Sequence, residues 1–181
     1  MTDYGAPERK FHRLNAELTV IDGYCIEGYA SLFGVKDQGG DEVRPGAYAA
    51  SLKRLSLRGE KIKMLWQHDP AQPIGVWEEV REDASGLWVK GRILNEVEKG
   101  REAAALLAAG AIDGLSIGYR TVKAERDGKG NRLLSELELW EVSLVTFPML
   151  REARVAAKAD DAIWRELAAH IAKARQGLAA L

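Results

Sequence analysis

Gly110-Ala111-Ile112-Asp113-Gly114-Leu115-Ser116-Ile117-Gly118-Tyr119 sets one serine between two glycines, after an alanine-rich helical segment and at the head of a strand-like run. Glycine on either side removes side-chain bulk and admits unusual backbone angles, which opens a hydroxyl to close approach. Ser116 is therefore a candidate nucleophile. The alternative is a strand serine between two turn-supporting glycines. The rest of the chain is read for a base to activate this hydroxyl and a group to orient that base.

Upstream of the serine, Asn95 is placed to cap a helix over residues 96–109, and Gly110 stops it. Downstream, residues 115–124 and 133–145 read as a hairpin pair across Asp127-Gly128-Lys129-Gly130, closed by Pro148. Residues 74–80 and 87–94 are two more strands joined by a polar turn. Before them residues 61–68 alternate cleanly, with Ile62, Met64, Trp66 and His68 on one face; Asp69-Pro70 ends that strand.

Residues 17–33 read as two strands around Asp22-Gly23, and residues 34–46 as a long loop. Gly39-Gly40 invites a phosphate reading, but no Gly-Lys-Ser/Thr follows, so it is rejected. Pro45 suits the first position of a short helix reaching to about Leu57. Residues 1–13 are expected as a flexible arm, residues 14–157 as the main domain, and residues 158–181 as an amphipathic helix carrying Ile163, Leu167 and Ile171 on one stripe. About seven strands and three helices, mostly hairpin-connected, predict an α+β domain built on a largely antiparallel β-sheet or barrel.

The chain has 181 residues, long enough for one domain with a real core. Its 46% hydrophobic and 29% charged content is that of a soluble globular protein. A net charge of -1 gives no electrostatic reason to expect nucleic acid or an anionic membrane as partner. Cys25 stands alone, so one chain builds neither a disulfide nor a thiolate metal site, and a reducing, cytoplasmic setting fits. The start MTDYGAPERKFHR lacks the apolar core of a secretion signal.

The three histidines are not equivalent. His12 falls in the arm and His170 lies off the apolar stripe of the last helix, whereas His68 lies on an apolar strand face at the strand's end. A base must work near neutrality and reach its target, and His68 meets both conditions. The bland alternative is a core histidine bonded to a neighbour. Among carboxylates, Glu141 interrupts the apolar row Leu137, Leu139, Ser143 and Val145. A buried carboxylate needs a partner. A histidine ring is the obvious one; a pairing with Arg120 or Arg132 across the hairpin is the other.

No two histidines share a helix face at i and i+4, so neither a metal nor any other cofactor is expected. No two acids stand out as an inward-facing pair for glycoside hydrolysis. Ser116 also satisfies G-x-S-x-G, but a nucleophile elbow needs strand, serine, helix, and here the order is helix, serine, strand.

The order His68 in Leu65-Trp66-Gln67-His68-Asp69, Ser116 in Gly114-Leu115-Ser116-Ile117-Gly118-Tyr119 and Glu141 in Trp140-Glu141-Val142-Ser143-Leu144-Val145 resembles the prohead maturation serine proteases of tailed bacteriophages. Gly28-Tyr29-Ala30, Pro45-Gly46-Ala47-Tyr48 and Pro73-Ile74-Gly75 belong to the same resemblance. Gene transfer agents carry similar proteases. The resemblance implies a β-barrel flanked by helices, like the herpesvirus capsid-assembly protease. It implies catalytic His68, Ser116 and Glu141, and oxyanion donors near Met149 to Arg151. It implies a major capsid protein as substrate, cut in its scaffolding segment inside the immature shell, with self-cleavage besides. Homo-oligomerisation is left open.

Overall fold

Runs of β-branched and aromatic residues punctuated by Gly and Asp give nine strands and two helices among the described residues of a computed structural model, which are 8–12, 19–21, 25–37, 39–128 and 130–147. In chain order they are β1 (Glu8–His12), β2 (Thr19–Ile21), β3 (Cys25–Leu32), β4 (Asp41–Val43), α1 (Ala49–Arg58), β5 (Lys63–Trp66), β6 (Asp69–Glu82), β7 (Gly86–Ile93), α2 (Glu98–Ala108), β8 (Gly114–Arg126) and β9 (Arg132–Val145). The strands form one sheet in the order β1-β8-β9-β5-β6-β7-β3-β2, with β4 on β9 outside that path. The sheet curls into a half-barrel, bringing β3 against β8.

The sheet, expected to be largely antiparallel, is mixed. β9 runs parallel to β5 and to β4, and antiparallel to β8. Leu134, Leu137 and Leu139 are buried in the strand's alternating first part, and Glu141 to Val145 are buried without a break. A strand covered on both faces loses its alternation. The pattern changes at Trp140, where the β8–β9 register shifts: Gly118 pairs with Glu141, and Tyr119 with Leu139.

Other differences are local. β4 lies inside the segment expected to be a loop, and β6 begins at Asp69 rather than after Pro73. Pro70 and Pro73 fall where the β5–β6 register is irregular, so the missing N–H groups break no regular ladder. Within the expected arm, Glu8–His12 run as a strand along β8, with Phe11 opposite Ser116. The helix expected after residue 158 lies outside the described residues.

α1 starts at Ala49, one turn later than Pro45 suggests. Its N-cap Tyr48 offers no side-chain cap. Instead the Glu82 carboxylate, from the end of β6, accepts the Tyr48 N–H at 3.0 Å and the Gly46 N–H as well. That places an anion at the positive end of the helix. Ser51 Oγ accepts the Leu139 N–H at 3.0 Å, tying α1 to β9 beside the register shift. α2 buries Ala103, Ala104 and Leu107, and Gly110 turns the chain at φ 68° toward β8. The order of helix, serine and strand is thus present, and the hydrolase elbow is not.

Candidate active site

β9 carries the site. Its Glu141 and Ser143 are flanked on one side by β8, where Gly118 and Ser116 are their register partners, and on the other by β5, where Lys63 and Leu65 are. β5 ends at Trp66, and the next two residues swing across the end of the sheet. One neighbour of β9 thus supplies the hydroxyl, and the turn beyond the other supplies the imidazole.

Sequence reading put His68 at the end of an alternating strand; it lies instead in a two-residue turn between β5 and β6. Gln67 has φ 52° and His68 has φ 63°, with Trp66 and Asp69 paired on either side. A two-residue hairpin with positive φ at both central positions matches the sheet twist but favours Asn-Gly. Two residues that prefer negative φ held there carry strain, of the order of 1–3 kcal/mol each, which surrounding bonds must offset. Those bonds are present. Gln67 N–H donates to Leu144 O at 2.9 Å. The Gln67 side chain donates to Thr146 Oγ1 at 2.6 Å and accepts the Thr146 N–H at 3.3 Å. His68 N–H donates to Ser143 Oγ at 3.2 Å.

The three side chains selected from sequence meet. His68 Nε2 lies 2.7 Å from Ser116 Oγ, and His68 Nδ1 lies 2.5 Å from Glu141 Oε1. A carboxylate only accepts, so Nδ1 carries the proton and Nε2 presents its lone pair to the Ser116 hydroxyl. All three residues are buried, Ser116 completely. Ser143 Oγ–H donates to the other carboxylate oxygen, Glu141 Oε2, at 2.6 Å. Both oxygens of this buried carboxylate therefore have donors, which is what its burial requires.

The alternative arginine partners of Glu141 are engaged elsewhere. Arg120 pairs with Glu138, and Arg132 with Asp41 and Thr121. His68 is a buried histidine with neighbours, as the bland reading had it, but the neighbours are a hydroxyl and a carboxylate on its two ring nitrogens. Sequence reading did not select Ser143 or Gln67. The i, i+2 spacing of Glu141 and Ser143 was a usable signal; the Gln67–Thr146 pairing across 79 positions left none. His170 and Met149 to Arg151 lie outside the described residues, as does any side-chain placement for His12.

The family model described as caudovirus prohead serine protease matches residues 13–164. This chain belongs to that family. The prohead protease of Enterobacteria phage HK97 is 31% identical over 135 residues, covering 73% of this chain and 59% of that protein. The capsid polyprotein of Pseudomonas phage PAJU2 is 33% identical over 104 residues, covering 53% of this chain. The chain spans 59% and 15% of the lengths of these two relatives. In fold it is similar to the bacteriophage T4 capsid assembly protease, with a TM-score of 0.56 at 17% identity, covering 78% of this chain and 95% of that one.

Proposed function

We propose that this chain is a serine endopeptidase of prohead maturation, cutting the scaffolding segment of a major capsid protein and also itself. The observation that carries the reading is the line Glu141 Oε1, His68 Nδ1, His68 Nε2, Ser116 Oγ, with steps of 2.5 Å and 2.7 Å at its ends. Membership of the prohead serine protease family supports it. The protease domain is assigned to residues 14–157, with its action inside the immature capsid in the host cell.

Ser116 Oγ attacks the scissile carbonyl carbon while its proton passes to His68 Nε2. The tetrahedral intermediate collapses, the C–N bond breaks, and Nε2 returns the proton to the leaving amine. Water then repeats the sequence on the acyl-enzyme, with Nε2 again taking and giving one proton. Glu141 holds the imidazole with Nε2 toward the serine and offsets the positive charge that forms on the ring. Backbone donors to the oxyanion are assigned to the residues near Met149 to Arg151, as the family resemblance implies.

The test is co-expression with the cognate major capsid protein and mass measurement of both chains. Wild type should shorten the capsid protein, and Ser116→Ala should leave it full-length. Identical masses in the two cases would mean a capsid-assembly module that kept the fold without the activity.

A further inference from the structure

The Ser143 hydroxyl occupies a place the triad does not explain. It is fully buried, it donates to Glu141 Oε2 at 2.6 Å, and it accepts the backbone N–H of His68 at 3.2 Å. One oxygen thus holds the carboxylate from the side away from the imidazole and holds the backbone of the residue that carries the imidazole. It sits on β9 directly between Leu65 of β5 and Ser116 of β8 in register.

We infer that Ser143 is a positioning residue for the His68–Glu141 pair, acting through that pair and not on the substrate. Two features make the pair need such a holder. His68 sits at φ 63°, a backbone state that its own preference opposes, so the turn drifts unless its N–H is held. The Glu141 side chain has three rotatable bonds, and an oxygen bonded only to the imidazole leaves the carboxylate free to rotate about its terminal bond. The hydroxyl closes both freedoms at once. Its single proton goes to the carboxylate, which only accepts, so its lone pairs are left for the His68 N–H. The bonding directions are therefore determined.

This inference rests on the proposed peptidase reading for its effect on rate, but its structural content is testable without catalysis. The first measurement is the low-field proton spectrum of the full chain with 15N-labelled histidine. The imidazole Nδ1–H of His68 gives a far-downfield signal that Glu141→Gln removes. Ser143→Ala should displace or broaden it, and Ser143→Thr, which keeps a hydroxyl, should restore it. The second is the initial rate of capsid-protein cleavage under co-expression. Ser143→Ala should lower it about 10- to 100-fold, the scale of one hydrogen bond to a charged group. The double variant Ser143→Ala/Glu141→Gln should lose less than the product of the two single losses, because the bond between the two side chains is already gone in either one, whereas a residue that only supports packing would multiply in its full loss.

If Ser143→Ala destabilises the chain, Ser143→Cys keeps the volume with a weaker donor and should fall between wild type and Ser143→Ala in both measurements. A histidine signal and a cleavage rate unchanged in Ser143→Ala would overturn the inference. A wild type that cleaves nothing, with the signal still responsive to Ser143→Ala, would remove the peptidase reading and leave the positioning link intact.

Discussion

The Glu141 carboxylate lies over the bare Cα of Gly118. The two residues are register partners across β8 and β9, and a Cβ at Gly118 would stand 2.7 Å from Glu141 Cδ and closer still to Oε1. The second glycine of G-x-S-x-G therefore makes room for the acid and not for the approach of a substrate. Its φ is not in the left-handed region, so the requirement is for space alone.

Gly118→Ala should accordingly fold and lose activity. The methyl group meets the side chain of Glu141, which must swing off the imidazole. A displacement of about 1 Å at such a site costs roughly 100-fold in rate. Capsid-protein cleavage by Gly118→Ala should fall by that order, while circular dichroism keeps the wild-type spectrum. Full activity in this variant would mean that Glu141 is not needed where it stands.

The members of the proposed triad should act as one unit, so their losses should not add. Ser116→Ala and His68→Ala should each reduce cleavage on the order of 10⁶-fold, the double variant should be no worse, and Glu141→Gln should be less damaging than either. Single-turnover rates of the three variants and the double variant check this. Multiplying losses in Ser116→Ala/His68→Ala would place His68 outside the proton path.

Asp83, at the turn between β6 and β7, should make part of the fold's stability depend on pH. Burial alone would raise its carboxyl, but hydrogen bonds from Ser85 N–H, Tyr29 OH, Arg81 and Gly86 N–H outweigh that effect and hold it below the usual aspartate range. A group whose folded value is depressed contributes stability above its unfolded value of about 3.9 and loses it as pH falls through the folded value. Urea midpoints for wild type and Asp83→Asn should thus differ at pH 7 and converge on acidification below about pH 4. A gap independent of pH would assign the loss to packing.

How far the fold was legible follows from where its information lies. Ser116, His68 and Glu141 were legible because each breaks a local pattern: a serine between glycines, a histidine and a carboxylate in apolar rows. β4 was not. Three residues leave no periodicity, and their partner is Arg132 to Leu134, far along the chain. The parallel β5–β9 pairing is equally nonlocal, so hairpin connections alone point to a largely antiparallel sheet and do not reveal it. The turn at Gln67-His68 was hidden because its residues look like the end of a strand, and the bonds that hold it come from Ser143, Leu144 and Thr146. In the same way the register shift at Trp140 lies in the pairing with Gly118 and Tyr119 on the opposite strand and leaves no local mark.

That turn supplies the last prediction. Gln67→Ala keeps a positive φ at a residue with a Cβ and removes both side-chain bonds to Thr146, so only the backbone bond from Gln67 N–H to Leu144 O is left at this position to offset the strain. Gln67→Gly removes the same bonds, but glycine adopts positive φ freely. Gln67→Asn tolerates that region better than alanine and retains an amide, although on a shorter stem. Stability should therefore fall most in Gln67→Ala, by about 1–3 kcal/mol, and less in Gln67→Gly and Gln67→Asn. Cleavage should fall in all three, because the next residue carries the imidazole and its backbone moves with the turn. Urea denaturation gives the first ranking and the co-expression assay the second. Equal stability losses for Gln67→Ala and Gln67→Gly would show that backbone strain is not what the Thr146 contacts offset.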